Sequence, residues 1–229
     1  MPAATLHVHP TAPLAERALL PGDPGRALVL AQSLLQAPKM FNHNCGLWGY
    51  TGTAADGEAL TIQSTGMGGP SAAIVLEELA TLGLRRAVRI GTCGALAEGL
   101  AVGALVCATE VLGADGTSRA LGAPERQAPD AALTGALREH TDHEGLVVSS
   151  DLFYDADHGR ARAWARAGAL AVEMEAATLL AVGARRGVAV ACALAVTGSR
   201  PGGGERIGDE ALKDAAERLG RAGFQALRA

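Results

Sequence analysis

Arg17-Ala18-Leu19-Leu20-Pro21-Gly22-Asp23-Pro24-Gly25-Arg26 is the stretch whose reading decides the fold. A short apolar strand over 17–20 stops at a turn built from proline and glycine, and a helix over 26–35 begins at once. A strand that runs straight into a helix is the repeating unit of an α/β chain. Outward from there the pattern recurs. Strands over 46–53 and 59–64 flank the turn Ala55-Asp56-Gly57, and an amphipathic helix over 71–82 opens at Pro70-Ser71. Apolar strands over 87–91 and 104–112 precede a helix over 129–140 and a strand over 146–149. Helices over 160–166 and 175–186 bracket a strand over 169–172, and a long strand over 188–197 leads to a final helix over 210–227. No repeat or serine-rich linker interrupts this order. Residues 1–229 therefore read as one domain, an α/β/α sandwich around a central mixed β-sheet.

Composition narrows the function. With 20 Lys+Arg against 24 Asp+Glu and no basic run, nothing in the charge pattern points to nucleic acid. No apolar run approaches the roughly 20 residues of a membrane span, and Met1-Pro2-Ala3-Ala4-Thr5-Leu6 lacks the basic-then-apolar order of a signal peptide. Cys45, Cys93, Cys107 and Cys192 are widely spaced, as free thiols in a reducing compartment are, so a cytoplasmic location is expected. Aromatics make up only 3% of residues, so the core is expected to be Ala, Val and Leu. The 30 glycines are roughly twice the average usage, a load that suits tight turns and close approach of backbone to a ligand.

The unusual residues gather where strands end, which is where open α/β sheets bind ligands. After the first strand, Gly22 and Gly25 free the backbone beside Arg26, an arrangement suited to an anion at a helix start or simply to a surface turn. Arg89-Ile90-Gly91-Thr92-Cys93-Gly94 places an arginine on an apolar strand, where it needs either a carboxylate partner or a bound anion. Val172-Glu173-Met174-Glu175 sets two carboxylates at a strand-to-helix junction. One could face solvent or cap the helix; the other could accept sugar hydroxyls and stabilise developing positive charge. Ser64-Thr65-Gly66-Met67-Gly68-Gly69 is glycine-rich but lacks the spacing of a dinucleotide fingerprint. Ser149-Ser150-Asp151-Leu152-Phe153-Tyr154 brings two scarce aromatics together, as core or as a stacking face for a flat base.

In this order, the segments LPGDPGRA, GLWGYTGT, RIGTCGAL, SSDLFY and VEMEAATL resemble those of the nucleoside phosphorylases of the trimeric/hexameric bacterial type, which include purine nucleoside and uridine phosphorylases. The resemblance runs from about Leu19 to Thr197. It implies a homo-oligomer of dimers building to a hexamer, and reversible phosphorolysis of a nucleoside to free base and α-ribose 1-phosphate, with inorganic phosphate as co-substrate and no metal or organic cofactor. By resemblance, Gly22, Arg26, Arg89 and Thr92 hold phosphate, with Glu175, Arg89 and Arg26 as the catalytic set. Glu175, Met174, Met67 and His7 hold ribose, His7 reaching into the neighbouring subunit. Phe153, Val172, Glu173 and Gly94 line the base pocket.

Two positions depart from the family pattern. Cys45 stands where relatives place an arginine that reaches the neighbour's phosphate, and losing such a contact costs roughly 1.5–3 kcal/mol. After Val196 the chain reads Thr197-Gly198-Ser199-Arg200-Pro201 and then three glycines, with no acid to protonate a departing purine. Water, a hydroxyl or an arginine must then supply that proton, and the glycine run reads as a mobile flap over the base or as a solvent loop without function. The stretch Asp155-Ala156-Asp157-His158 lacks the Gln and Arg with which the pyrimidine relatives clamp uracil, which favours a purine, and the missing acid after Val196 leans towards a 6-oxopurine over adenine. Uridine phosphorolysis, phosphate-independent hydrolysis and a non-catalytic binding module are the competing readings.

Overall fold

The computed structural model describes residues 5–199 and 204–228. The glycine run's first residues, and Arg200 and Pro201, lie outside the described residues. The first turn folds as its residues dictate. Strand β1 (Arg17–Leu20) ends at Pro21, the Asp23 carboxylate accepts the Arg26 backbone N–H at 2.6 Å, and Pro24 occupies the first turn of α1 (Pro24–Leu34). There follow β2 (Leu35–Asn42), β3 (Gly49–Ala54), β4 (Ala59–Gln63), α2 (Gly69–Thr81), β5 (Arg86–Ala95) and β6 (Leu105–Gly113). Short α3 (Gly116–Ala120) and β7 (Arg126–Gln127) precede α4 (Ala131–Arg138), β8 (His143–Ser149), α5 (His158–Arg166) and β9 (Ala169–Glu173). Helix α6 (Ala176–Arg186), β10 (Ala189–Ser199) and α7 (Asp209–Arg228) complete the chain.

The strands form one mixed sheet with β5 at its centre. On one side β1, β4, β3 and β2 extend outward; β1 is parallel to both β4 and β5. On the other side β5 pairs with both β9 and β10, and the chain of pairings β10–β6–β8–β9 closes this half into a ring. Closure removes edges from that half and leaves β2 at the free margin.

Apolar clusters pack on both faces. Val75, Leu76 and Leu79 of α2 pack with Leu179 and Val182 of α6, while Leu30 of α1, Leu133 of α4 and Leu219 of α7 pack against the other face. Small side chains let the layers close: a Cβ on Gly223 of α7 would sit 2.7 Å from a Leu19 methyl. Near the C-terminus, Arg17 makes a forked pair with Asp56 at 2.7 Å per bond, and both Arg17 and Arg228 lie 5.7 Å over the Phe224 ring. The Arg17 contact pulls the Asp56 carboxyl down to about 2. Among the described residues no helix is long and apolar enough to cross a membrane.

The observed order matches the expected α/β arrangement with three additions. Strand β2 begins where the first helix was expected to end, and its middle is exposed, so it carries no alternating apolar signal. Ala37 adopts φ 45° beside Pro38, and the pairing with β3 shifts register there; bulges of this kind blunt an edge strand. Helix α3 and strand β7 are too short to register as periodicity. Strand β5 continues to Ala95, past the Gly91 where the apolar run ends, because β10 pairs alongside it over that length.

Candidate active site

Parallel β1, β4 and β5 deliver their following segments to the same end of the sheet. There the turn after β1 and the glycine-rich loop after β4 are tied together: Thr65 N–H donates to the Pro21 carbonyl at 2.9 Å and Gly66 N–H to the Gly22 carbonyl at 3.1 Å. Glycine is required in this seam. A Cβ on Gly22 would stand 3.3 Å from the Gly66 carbonyl and 3.4 Å from Arg89 Nη1, and Gly66 itself sits at φ 72°.

Arg89 projects into this seam and is 3% exposed. Its Nη2 donates to Glu175 Oε2 in a close ion pair and lies 3.4 Å from Glu173 Oε2. Burial opposes the Arg89 charge, and Glu175 and Glu173 more than offset it, raising its pKa. Among the described residues, Nε and Nη1 of the same guanidinium have no partner. A buried donor left unpaired is costly, so two of them on one cation mark a place for an acceptor. Arg26 is half-buried nearby and, among the described residues, forms no ion pair. Burial, then repulsion from Arg89, lowers its pKa. Two guanidiniums converge with unused donors, which is the electrostatic form of an anion site.

The carboxylates come from the β9–α6 junction. Glu175 is 4% exposed; its Oε1 accepts the Gly68 N–H at 2.6 Å and its Oε2 faces Arg89. Glu173 accepts from Ser149 Oγ at 2.5 Å, from the Ala176 N–H at 2.9 Å and from the Glu175 N–H at 2.9 Å, besides Arg89. Burial pushes its carboxyl up, and Arg89 pulls against that. Neither glutamate faces solvent, and Glu173 is the one that serves the N–H groups at the start of α6, which have no partner within the helix.

The structure thus gathers Gly22, Arg89, Glu173 and Glu175, with Arg26 close enough to repel Arg89. Thr92 is half-buried on β5 opposite Ala195, and Gly94 faces Val172, a Cβ there lying 3.7 Å from a Val172 methyl. Met174 is half-buried between the two glutamates, whereas Met67, next to Gly68, is 86% exposed. Phe153 is exposed and stacks edge-on with Tyr154 at 5.0 Å, its one ring contact among the described residues.

His7 stands apart from its own chain's cluster. Its Nδ1 bonds Glu78 Oε1 at 2.8 Å, and Glu78 also accepts the backbone N–H groups of Leu6, His7 and Val8. Glu78 lies about 14 Å along α2 from the helix start that Glu175 touches. The loop carrying Cys45 lies beside the same arm, since Asn44 Nδ2 donates to the His7 carbonyl at 3.1 Å; Cys45 is exposed at φ 56°. Three participants carried no distinct signal in sequence. Ser149 and the Gly68 N–H are generic donors, and Gly91 matters only because a Cβ there would lie 2.7 Å from Arg89 Nη2.

Two arginines thus stand beside two buried carboxylates at the strand ends of a mixed α/β sheet. The chain belongs to the phosphorylase superfamily, whose family model matches residues 16–229. It is 37% identical to the guanosine phosphorylase of Halorubrum lacusprofundi over 93% of each chain. It is 34% identical to a DeoD-type purine nucleoside phosphorylase of Clostridium novyi, over 86% of this chain and 88% of that one. A DeoD-type enzyme of Caldanaerobacter subterraneus subsp. tengcongensis is 36% identical over 81% and 84%.

Proposed function

We propose that this protein is a purine nucleoside phosphorylase acting on 6-oxopurine nucleosides. The observation that carries the reading is the buried Arg89 guanidinium, held by two carboxylates through one nitrogen and bare at the other two, beside Gly22 and Arg26. Phosphate accepts from those two nitrogens. A phosphate oxygen attacks C1′, the C1′–N bond breaks, and its electron pair leaves with the base. Charge on the sugar becomes positive as this happens, so the phosphate beneath it and Glu175 beside it both stabilise the transition state. Fixed donors also remove much of the entropic barrier to attack. The departing nitrogen takes its proton from water, a hydroxyl or an arginine, since residues 197–204 contain no acid. Phosphate is the co-substrate, and the reaction needs no metal or organic cofactor.

Thr92 is assigned to phosphate, Met174 and Met67 to ribose, and Val172, Gly94 and Phe153 to the base. His7 is held on Glu78, away from its own chain's Glu175, with the Cys45 loop beside it, which supports donation to a neighbouring copy and hence a homo-oligomer built from dimers up to a hexamer. All four cysteines are free, in keeping with a cytoplasmic enzyme.

The test is base release from inosine, guanosine, adenosine and uridine, each with and without phosphate. Phosphate-dependent release from inosine or guanosine is the expected result. Release that ignores phosphate would make the protein a hydrolase, and preference for uridine would move it to the pyrimidine branch. Gly91→Ala is expected to raise the phosphate KM about tenfold, because the new methyl displaces the guanidinium. Steady-state kinetics alongside a thermal melt separates that effect from unfolding.

A further inference from the structure

Glu173 has no free acceptor position to offer a ligand. A carboxylate has about four lone-pair sites, and four donors converge on this one: the Ser149 hydroxyl, the Glu175 and Ala176 N–H groups, and Arg89 Nη2. The side chain is 4% exposed. Through the two backbone bonds it sets the turn from which Glu175 projects. Through the fourth it shares Arg89 Nη2 with Glu175, which keeps the guanidinium aimed while Nε and Nη1 remain bare. Both halves of the anion–sugar site hang from one buried carboxylate.

We propose that Glu173 is the positioning residue that aligns Arg89 for phosphate and Glu175 for ribose, without touching the base. The assignment rests on the phosphorolysis reading. Without the carboxylate, Arg89 Nη2 keeps Glu175 alone, and neither the guanidinium's direction nor the turn that carries Glu175 is fixed by a second group. Glutamine cannot substitute. Each Glu173 oxygen now accepts a backbone N–H, so whichever way an amide turns, its NH2 end meets another N–H.

The test compares wild type, Glu173→Gln and Ser149→Ala. Ser149 holds Glu173 and contacts neither arginine, so its loss loosens the same carboxylate more gently. The expected result for Glu173→Gln is a phosphate KM raised about 10- to 100-fold and kcat lowered by a similar factor. The ratio of kcat/KM among inosine, guanosine and adenosine stays as in wild type, and Ser149→Ala follows the same pattern at about threefold. A base-lining role predicts the reverse: altered base ratios with the phosphate KM intact. That outcome overturns the proposal, as do wild-type kinetics in Glu173→Gln. If Glu173→Gln fails to fold, Ser149→Ala decides, and an unchanged phosphate KM and kcat there overturn it. Calorimetric titration with inorganic phosphate separates the two levels. A wild type that binds no phosphate defeats the phosphorolysis reading and this inference with it; phosphate binding equally tight in wild type and Glu173→Gln defeats only the inference.

Discussion

Arg89→Ala is expected to lower kcat/KM for phosphate by about two to four orders of magnitude. Each charge-assisted bond from Nε or Nη1 to phosphate contributes roughly 1.5–3 kcal/mol, and both are lost. Arg26 remains, but it is half-buried and has only the Asp23–Arg26 turn to hold it, so it cannot rebuild the forked contact. The same change strips two buried carboxylates of their shared cation, which costs about 3–5 kcal/mol of stability when one partner of a buried pair is removed. That cost depends on pH in a definite direction. Glu173 already has its pKa raised by burial, and losing Arg89 raises it further. A carboxyl whose folded value lies above its unfolded one destabilises the fold as pH rises past the unfolded value, near 4.3. The stability gap to wild type is therefore small in acid and opens above that pH. Denaturant melts at two pH values, with phosphate kinetics on the same preparation, check both parts. Normal phosphate dependence in the variant would remove Arg89 from the site.

Glu175→Gln is expected to lower kcat about 10²- to 10³-fold, the usual cost of removing a fixed group aimed at developing charge. The fold should survive. A glutamine oxygen can still accept the Gly68 N–H, and Arg89 keeps Glu173 as its counter-charge. The nucleoside KM should change less than kcat, since an amide still accepts one sugar hydroxyl while the charge acts chiefly in the transition state. Single-turnover base release with a thermal melt makes the comparison. Unchanged turnover would end the assignment of Glu175 to the ribose.

Much of the site was legible because its residues are out of place for their neighbourhoods. An arginine on an apolar strand and two glutamates at a strand end demand partners, and the chain supplies each to the other. Of the two readings open for Arg89, a carboxylate partner or an anion, the structure shows the carboxylate. Nη2 takes the carboxylates, and the remaining nitrogens stay free. The two glutamates likewise could not be told apart in sequence. Their difference lies in which donors reach them, and these come from β8 for Glu173 and from the loop before α2 for Glu175. Strand β2 escaped notice because an edge strand with an exposed middle needs no apolar alternation.

Local chain chemistry settles the turns, the helix starts and the α/β succession, since proline, glycine and capping aspartate act within a few residues of themselves. It also settles which residues are costly to bury. Which of them meet is a matter of strand order. Arg89 and Glu175 are separated by 86 positions, and Gly68 and Glu175 by 107. Those contacts exist only because β5 takes partners on both sides and the ring through β10, β6, β8 and β9 returns the β9–α6 junction to Arg89. The same folding keeps His7 away from its own chain's pocket, about a helix length from Glu175, a separation that no local pattern encodes.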